Sequence, residues 1–178
     1  MSMDVVSWVT ASKKIRLVYE AFCQPVCRTY GLSQTEFDVM AFLMNHPNHD
    51  TARDICELRL LKKANVSVAI DKLMRRELLT RCPDAQDRRL MRLQMTEKAQ
   101  PILAEIRAVQ LQFDECVKRC MTPEEIAENG RLMKKFMNRI LEIGREMKVD
   151  GFTADEAPAS NGEDECSSRG EPHPRHDA

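Results

Sequence analysis

A chain of 178 residues, 43% hydrophobic and 31% charged, has room for one domain of ordinary size with appendages. Its formal net charge of −1 is unevenly spread: from Asp150 onward there are 8 acidic and 2 basic residues, which leaves 20 acidic and 25 basic before that point. No apolar run approaches the roughly 18 residues of a membrane span, no basic residue precedes Asp4 as a targeting segment would need, and seven scattered cysteines make no secreted disulfide framework, so a cytoplasmic protein without a membrane partner is expected.

From Asp4 to about Tyr30, apolar residues at Trp8, Ala11, Ile15, Val18, Phe22 and Val26 recur at three- and four-residue steps, which predicts one long amphipathic helix with a kink near Pro25. Gly31 ends it. Ser33 with Glu36 three residues on forms a capping box for a second helix, Gln34 to about Asn45, whose apolar residues lie nearly all round and predict burial. The stretch from His46 to Asp50 holds two histidines beside an aspartate, yet no third donor stands near, so it reads as a solvated loop and no metal site. Thr51 and Asp54 then cap a short helix, Ala52 to about Arg59, with Ile55, Cys56 and Leu58 facing inward.

The next stretch has the most to say. A helix beginning near Lys63 places Val66, Ala69, Ile70 and Leu73 on one face and Lys62, Lys63, Asn65, Ser67 and Lys72 on the other. Two strand-like runs follow, Leu78 to Cys82 and Leu90 to Met95, separated by the polar loop Pro83 to Arg89. Between Arg53 and Arg92 there are 11 basic and 6 acidic residues, which carries the whole positive excess of the body. Two short helices followed by a basic hairpin are the layout of a winged helix-turn-helix, and the charge is the footprint expected for phosphate.

Beyond the hairpin, Thr96 caps a helix from Glu97 to about Cys120, with a stripe at Ile102, Ile106, Val109 and Phe113. Thr122, Pro123 and Glu125 start another, striped by Ile126, Met133, Phe136, Met137, Ile140, Ile143 and Met147. These stripes exceed what one small winged helix covers, which predicts a homodimer with two recognition helices about 34 Å apart on a pseudo-palindromic double-stranded DNA site. The expected fold is mainly α, a winged helix-turn-helix with a small antiparallel β-hairpin wing and long N- and C-terminal dimerisation helices. Residues 1–148 form the domain, with 32–95 as its DNA-binding core and 4–30 and 97–147 as dimerisation helices. The run 149–178, rich in Gly, Pro, Ser and acidic residues, reads as a disordered acidic tail.

In this arrangement Asn65 offers the donor and acceptor that adenine matches, Val68 meets a thymine methyl, and Lys62, Lys63, Ser67 and Lys72 face phosphates. Arg88 and Arg89 at the wing tip reach a neighbouring minor groove. Cys23 with Cys27, and Cys116 with Cys120, are each spaced one helical turn apart; such pairs suit a redox or metal response, but they border apolar stripes where cysteine is more often simply buried.

From Leu32 to Ala99 the sequence resembles the MarR family of winged helix-turn-helix transcriptional regulators. The resemblance rests on Leu32-Ser33 opening a helix, Ile55-Cys56, Asn65 to Ser67, Ile70 to Leu73, the wing Pro83 to Arg89 with its Asp87 and Arg89, and Met95 to Ala99, in order and ungapped from Ile55. No Ser/His/Asp-like set, phosphate-binding Gly loop or metal-ligand cluster of convincing spacing is present, so no enzyme and no cofactor is expected, and the resemblance implies a homodimeric repressor released by a small, often aromatic effector. Arg89 would be the inserted wing residue, Asp87 the acceptor that shapes the wing, and Phe22, Val26, Tyr30, Phe37 and Met40 the wall of an effector pocket. Four positions depart from the family pattern: Leu60 and Glu77 stand where Gly is common, Lys62 where a Ser-like cap is usual, and Val68 where Arg is frequent. Two alternatives stay open: a thiol- or metal-responsive regulator using the paired cysteines, and a helical interaction module that has lost DNA binding.

Overall fold

The computed structural model describes residues 4–149 apart from Leu60, Ala85, Gln86 and Arg88. The tail beyond Val149 and the wing residue Arg88 therefore lie outside the described residues. Among those described are six α-helices and one antiparallel hairpin, in the order α1 Val5–Tyr30, α2 Gln34–Asn45, α3 Ala52–Arg59, α4 Lys63–Arg75, β1 Leu79–Pro83, β2 Met91–Met95, α5 Gln100–Lys118 and α6 Pro123–Glu146. None of these helices is long and apolar enough to cross a membrane.

Local chemistry accounts for most boundaries. Asp4 caps α1 by accepting from the Ser7 amide, and the helix runs through Pro25 to Gly31, whose φ of 59° makes the left-handed turn that ends it. The Ser33/Glu36 box starts α2, and the Thr122/Glu125 box starts α6. Thr51 and Asp54 exchange the same reciprocal bonds ahead of α3. Thr96 behaves differently from its predicted role. It precedes a 3₁₀ turn at Glu97–Ala99 without capping it through its side chain, and its hydroxyl instead donates to the Glu77 carbonyl at 2.7 Å.

The core centres on α2, which buries every position from Glu36 to Leu43, against the inner faces of α1, α4 and α5. From α4 it takes Val66, Ala69, Ile70 and Leu73, the face the helical period predicts. Truncating Ile70 or Leu73 to Ala in such a core costs about 2–5 kcal/mol. Leu79 and Leu93 bring the hairpin into the same cluster, with β1 and β2 in a register that pairs Leu79 with Met95 and Pro83 with Met91.

The outer helices are covered on one side only. Trp8 of α1 stacks on Phe136 of α6 with centroids 4.9 Å apart, while Gly144 is the sole buried residue of α6. Leu17 and Val18 on α1, Leu111 on α5 and Leu132 on α6 face outward, with Leu17 65% exposed.

Two of the positive-φ positions among the described residues, Gly31 and Glu77, carry opposite residues for the same geometry. Gly31 is suited to it, and a Cβ there would meet nothing within 4 Å, so its substitution is strained only by conformation. Glu77, at φ 58°, ends α4 with a side chain that this region disfavours. Gly31→Ala should lower unfolding free energy by about 1 kcal/mol. Glu77→Gly should raise the midpoint of thermal unfolding by roughly 2–4 °C. Calorimetry on both variants checks the pair, and a fall for Glu77→Gly would contradict the strain assigned to it.

Candidate nucleic-acid interface

With Val66, Ala69, Ile70 and Leu73 turned into the core, the opposite face of α4 is fixed in place. Lys62, Lys63, Asn65, Ser67 and Val68 are all exposed there, Val68 at 55%. Lys62 is the N-cap, and its side chain makes no capping bond. The first turn carries no acidic residue, so two lysines crowd the positive end of the helix dipole. That arrangement is unfavourable for the free helix and becomes favourable when an anion meets the exposed amides.

Lys72 has a second duty. Its Nζ lies 3.5 Å from Glu36 Oε1, a carboxylate 4% exposed that also accepts from the Ser33 amide at 3.0 Å. A buried carboxylate stripped of its cation is costly, so Lys72 holds α4 to the start of α2 as well as facing outward. Arg76 is committed too, donating to the carbonyls of Tyr30 at 2.6 Å and Gly31 at 3.3 Å, and Arg81 pairs with Asp71 at 3.3 Å.

At the wing, Asp87 Oδ1 accepts from the Arg89 amide at 2.9 Å, and Arg89 is exposed with its side chain at the tip. Sequence reasoning counts Arg92 only among the basic residues of the segment and names no partner for it. Its guanidinium instead donates to Asp84 Oδ2 at 2.5 Å and to Asp50 Oδ1 at 2.6 Å, and its hydrogen bonds to these two carboxylates, Asp84 foremost, raise its already high pKa further. Arg92 pairs with Cys82 in the hairpin, so Asp84 sits at the diagonal position two residues on. That spacing was the available signal, while Asp50, 42 residues away, left none.

The residues proposed for an effector wall are placed as follows. Val26, Phe37 and Met40 lie in the core, and Phe22 and Tyr30 are half-buried. A cavity of about 290 Å³ lies beside them and is lined instead by Ile15, Arg16, Tyr19, Asp38, Arg59 and Phe113, among others. Tyr19 and Phe113 meet edge to face at 5.2 Å. Asp38 accepts from Gln34 at 3.1 Å and from Arg59 at 3.4 Å; burial pushes its carboxyl up and the Arg59 charge partly offsets this.

The cysteine pairs separate. Cys23 and Cys27 are buried in the core, and loss of water pushes the Cys23 thiol up to about 11 and Cys27 in the same direction, away from the reactive thiolate. Cys116 and Cys120 are free and exposed, but Cys120 lies past the end of α5, its Sγ donating to the Val117 carbonyl, so the two do not share one helical face. His46 stacks on Phe42 at 4.5 Å, and among the described residues no group of three His, Cys, Asp or Glu is placed to hold a metal ion.

An exposed polar face on the second helix of a helix-turn-helix, with an arginine-tipped hairpin beside it, defines a winged helix-turn-helix protein. Residues 30–90 match the family model described as MarR family. The HTH-type transcriptional regulator MhqR of Bacillus subtilis (strain 168) is 35% identical over 77 residues, 43% of this chain and 52% of that protein, so the match spans about half of the relative's length. A MarR transcriptional regulator from Methanosarcina mazei Go1 shares the fold with a TM-score of 0.67 and 16% identity, covering 79% of this chain and 93% of its own. The S. aureus MepR–DNA complex matches with a TM-score of 0.62 and 14% identity, covering 78% and 97%. The likeness to the MarR family thus falls on residues 30–90, the stretch that holds the helix-turn-helix and most of the wing.

The thiol environments have a measurable consequence. An alkylating reagent at neutral pH should label Cys116 and Cys120 in the folded protein, with Cys23 and Cys27 labelled only after unfolding, as read by peptide mass spectrometry. Because folding raises the Cys23 pKa, its neutral thiol contributes stability that is fully present below the ordinary thiol value near 9.0 and is lost as pH rises through about 11. Cys23→Ala should therefore flatten the alkaline arm of the stability curve.

Proposed function

We propose that this protein is a sequence-specific DNA-binding transcriptional regulator, a cytoplasmic homodimeric repressor that a small aromatic effector releases from its operator. The observation that carries the reading is the division of α4: one face is locked in the core, while Lys62, Lys63, Asn65, Ser67 and Val68 are exposed together on the other, with Arg89 at the wing tip. Asn65 and Val68 are the base-reading residues, at adenine and a thymine methyl, and the lysines and Ser67 position the helix on phosphates. Arg89, with Arg88 beside it in sequence, enters the adjoining minor groove.

The outward apolar residues of α1, α5 and α6 support the homodimer. Leu17, Leu111 and Leu132 are each about half exposed or more, and a second copy is the cover that gives two recognition helices for a pseudo-palindrome. For the effector, the cavity beside Tyr19 and Phe113 supports an aromatic guest. Its Arg59 ends α3, so a guest there bears directly on the helix-turn-helix.

A duplex selected from a random pool by the full-length protein provides the test. Arg89→Ala and Asn65→Ala should each weaken binding by about 1–3 kcal/mol, and Lys63→Ala should weaken all sequences alike and lower the salt slope by about 1. Failure to select any duplex would refute the reading. Lys62→Ser should separate folding from binding: a capping side chain adds about 1 kcal/mol to stability while affinity for DNA falls. Leu17→Glu with Leu132→Glu should halve the mass seen by sedimentation.

A further inference from the structure

Bonds between β1 and β2 do not fix where the hairpin points, since a two-stranded ribbon is marginal unless tied down. The seam with the body lies at Asp50 and Thr51. The Leu93 amide donates to the Asp50 carbonyl at 2.7 Å, and Thr51 forms a β-bridge with Arg92. The Arg92 side chain stands at this seam and holds two carboxylates at once, Asp50 ahead of α3 and Asp84 at the base of the tip. From Asp84 the connections continue outward. Its Oδ1 accepts from the Asp87 amide at 2.8 Å, and Asp87 Oδ1 accepts from the Arg89 amide at 2.9 Å. The Asp84 amide bonds the Leu90 carbonyl and the Leu90 amide bonds the Asp87 carbonyl, both at 2.9 Å.

We propose that Arg92 is a positioning residue: by clamping Asp50 to Asp84 it sets the aim of the wing-tip Arg89 relative to α4, and so the fit of wing and recognition helix to one DNA half-site. The proposal rests on the DNA-binding reading above. The guanidinium suits the task because its planar fork fixes two carboxylates relative to each other, which a lysine ammonium does not. Two acidic residues beside a DNA-facing arginine otherwise only repel phosphate, so the clamp gives them a reason to be there.

Charge and positioning make opposite forecasts, and the test uses that. If only charge matters, Asp84→Asn or Asp50→Asn makes the wing more positive and binding tightens. If the clamp aims Arg89, each weakens binding to the selected duplex roughly five- to ten-fold, within the loss seen for Arg89→Ala. Arg92→Lys, which keeps the charge, weakens it similarly. The double variant Arg92→Lys/Arg89→Ala binds no worse than Arg89→Ala alone, because the clamp acts through that arginine. Titrations are run on full-length protein with the melting curve of each variant alongside. Tighter or unchanged binding by Asp84→Asn, or additive losses in the double variant, overturns the proposal while leaving the DNA-binding reading intact. An Arg89→Ala variant that binds like the parent chain also overturns the proposal, whereas failure to select any duplex overturns the DNA-binding reading itself.

Discussion

Two buried carboxylates on α2 govern how the helix-turn-helix is held. Glu36 and Asp38 lie on a helix packed on every side, and each is met by a cation from a different arm of the helix-turn-helix: Lys72 of α4 for Glu36, Arg59 of α3 for Asp38. Apolar packing alone tolerates sliding of one helix along another. A buried charge does not, because moving its partner away leaves an uncompensated ion in a poorly solvated place. The hydrophobic face of α4 supplies the attachment, and these two pairs fix its position. Both reach toward the surface, Arg59 into the aromatic cavity and Lys72 beside the exposed face of α4, so events at either place act on the same central helix.

The basic residues between Arg53 and Arg92 divide into two populations that a charge count cannot separate. Arg53, Arg59, Lys72, Arg76, Arg81 and Arg92 each bond to a carboxylate or carbonyl within the fold. Lys62, Lys63, Arg75 and Arg89 are exposed and make no such side-chain bond among the described residues. The net positive excess of the segment resembles an electrostatic footprint, yet much of it is structural. A surface that meets phosphate needs only a few unengaged cations, provided that the others keep them aimed.

What was legible in the sequence follows the range of the forces involved. The faces of α4, the capping boxes at Ser33, Thr51 and Thr122 and the left-handed stop at Gly31 are set within four residues, and periodicity and capping chemistry reveal them. The hairpin was legible for the same reason, to within a residue at each strand. Asp50 and Arg92, or Arg76 and the end of α1, meet only because the chain folds back over tens of residues, and neither pattern nor propensity encodes that. The cavity beside Tyr19 and Phe113 was hidden likewise, since its lining comes from α1, α2, α3 and α5 at positions far apart in the chain. Thr96 shows a local rule losing to a distant partner, since its hydroxyl reaches the Glu77 carbonyl and leaves its own turn uncapped.

The two ends of α4 break local rules in different ways, and the difference bears on function. At its C-terminal end Glu77 takes a left-handed conformation, but the surroundings absorb the cost. Its amide bonds the Met74 carbonyl, its own carbonyl receives the Thr96 hydroxyl, and its side chain meets Lys98. The N-terminal end has less: the Asn65 amide donates to the Lys62 carbonyl at 2.9 Å, but the Lys62 side chain leaves the cap unfilled and adds positive charge where the dipole is already positive. A less compensated violation at the exposed end is what a site for a negatively charged partner requires, because the groups that would satisfy the helix internally are the ones that must be free to bind. A serine at Lys62 would occupy those amides from within. The lysine makes no such bond and adds a charge that phosphate can match, so the weak cap and the face proposed to meet DNA are one feature.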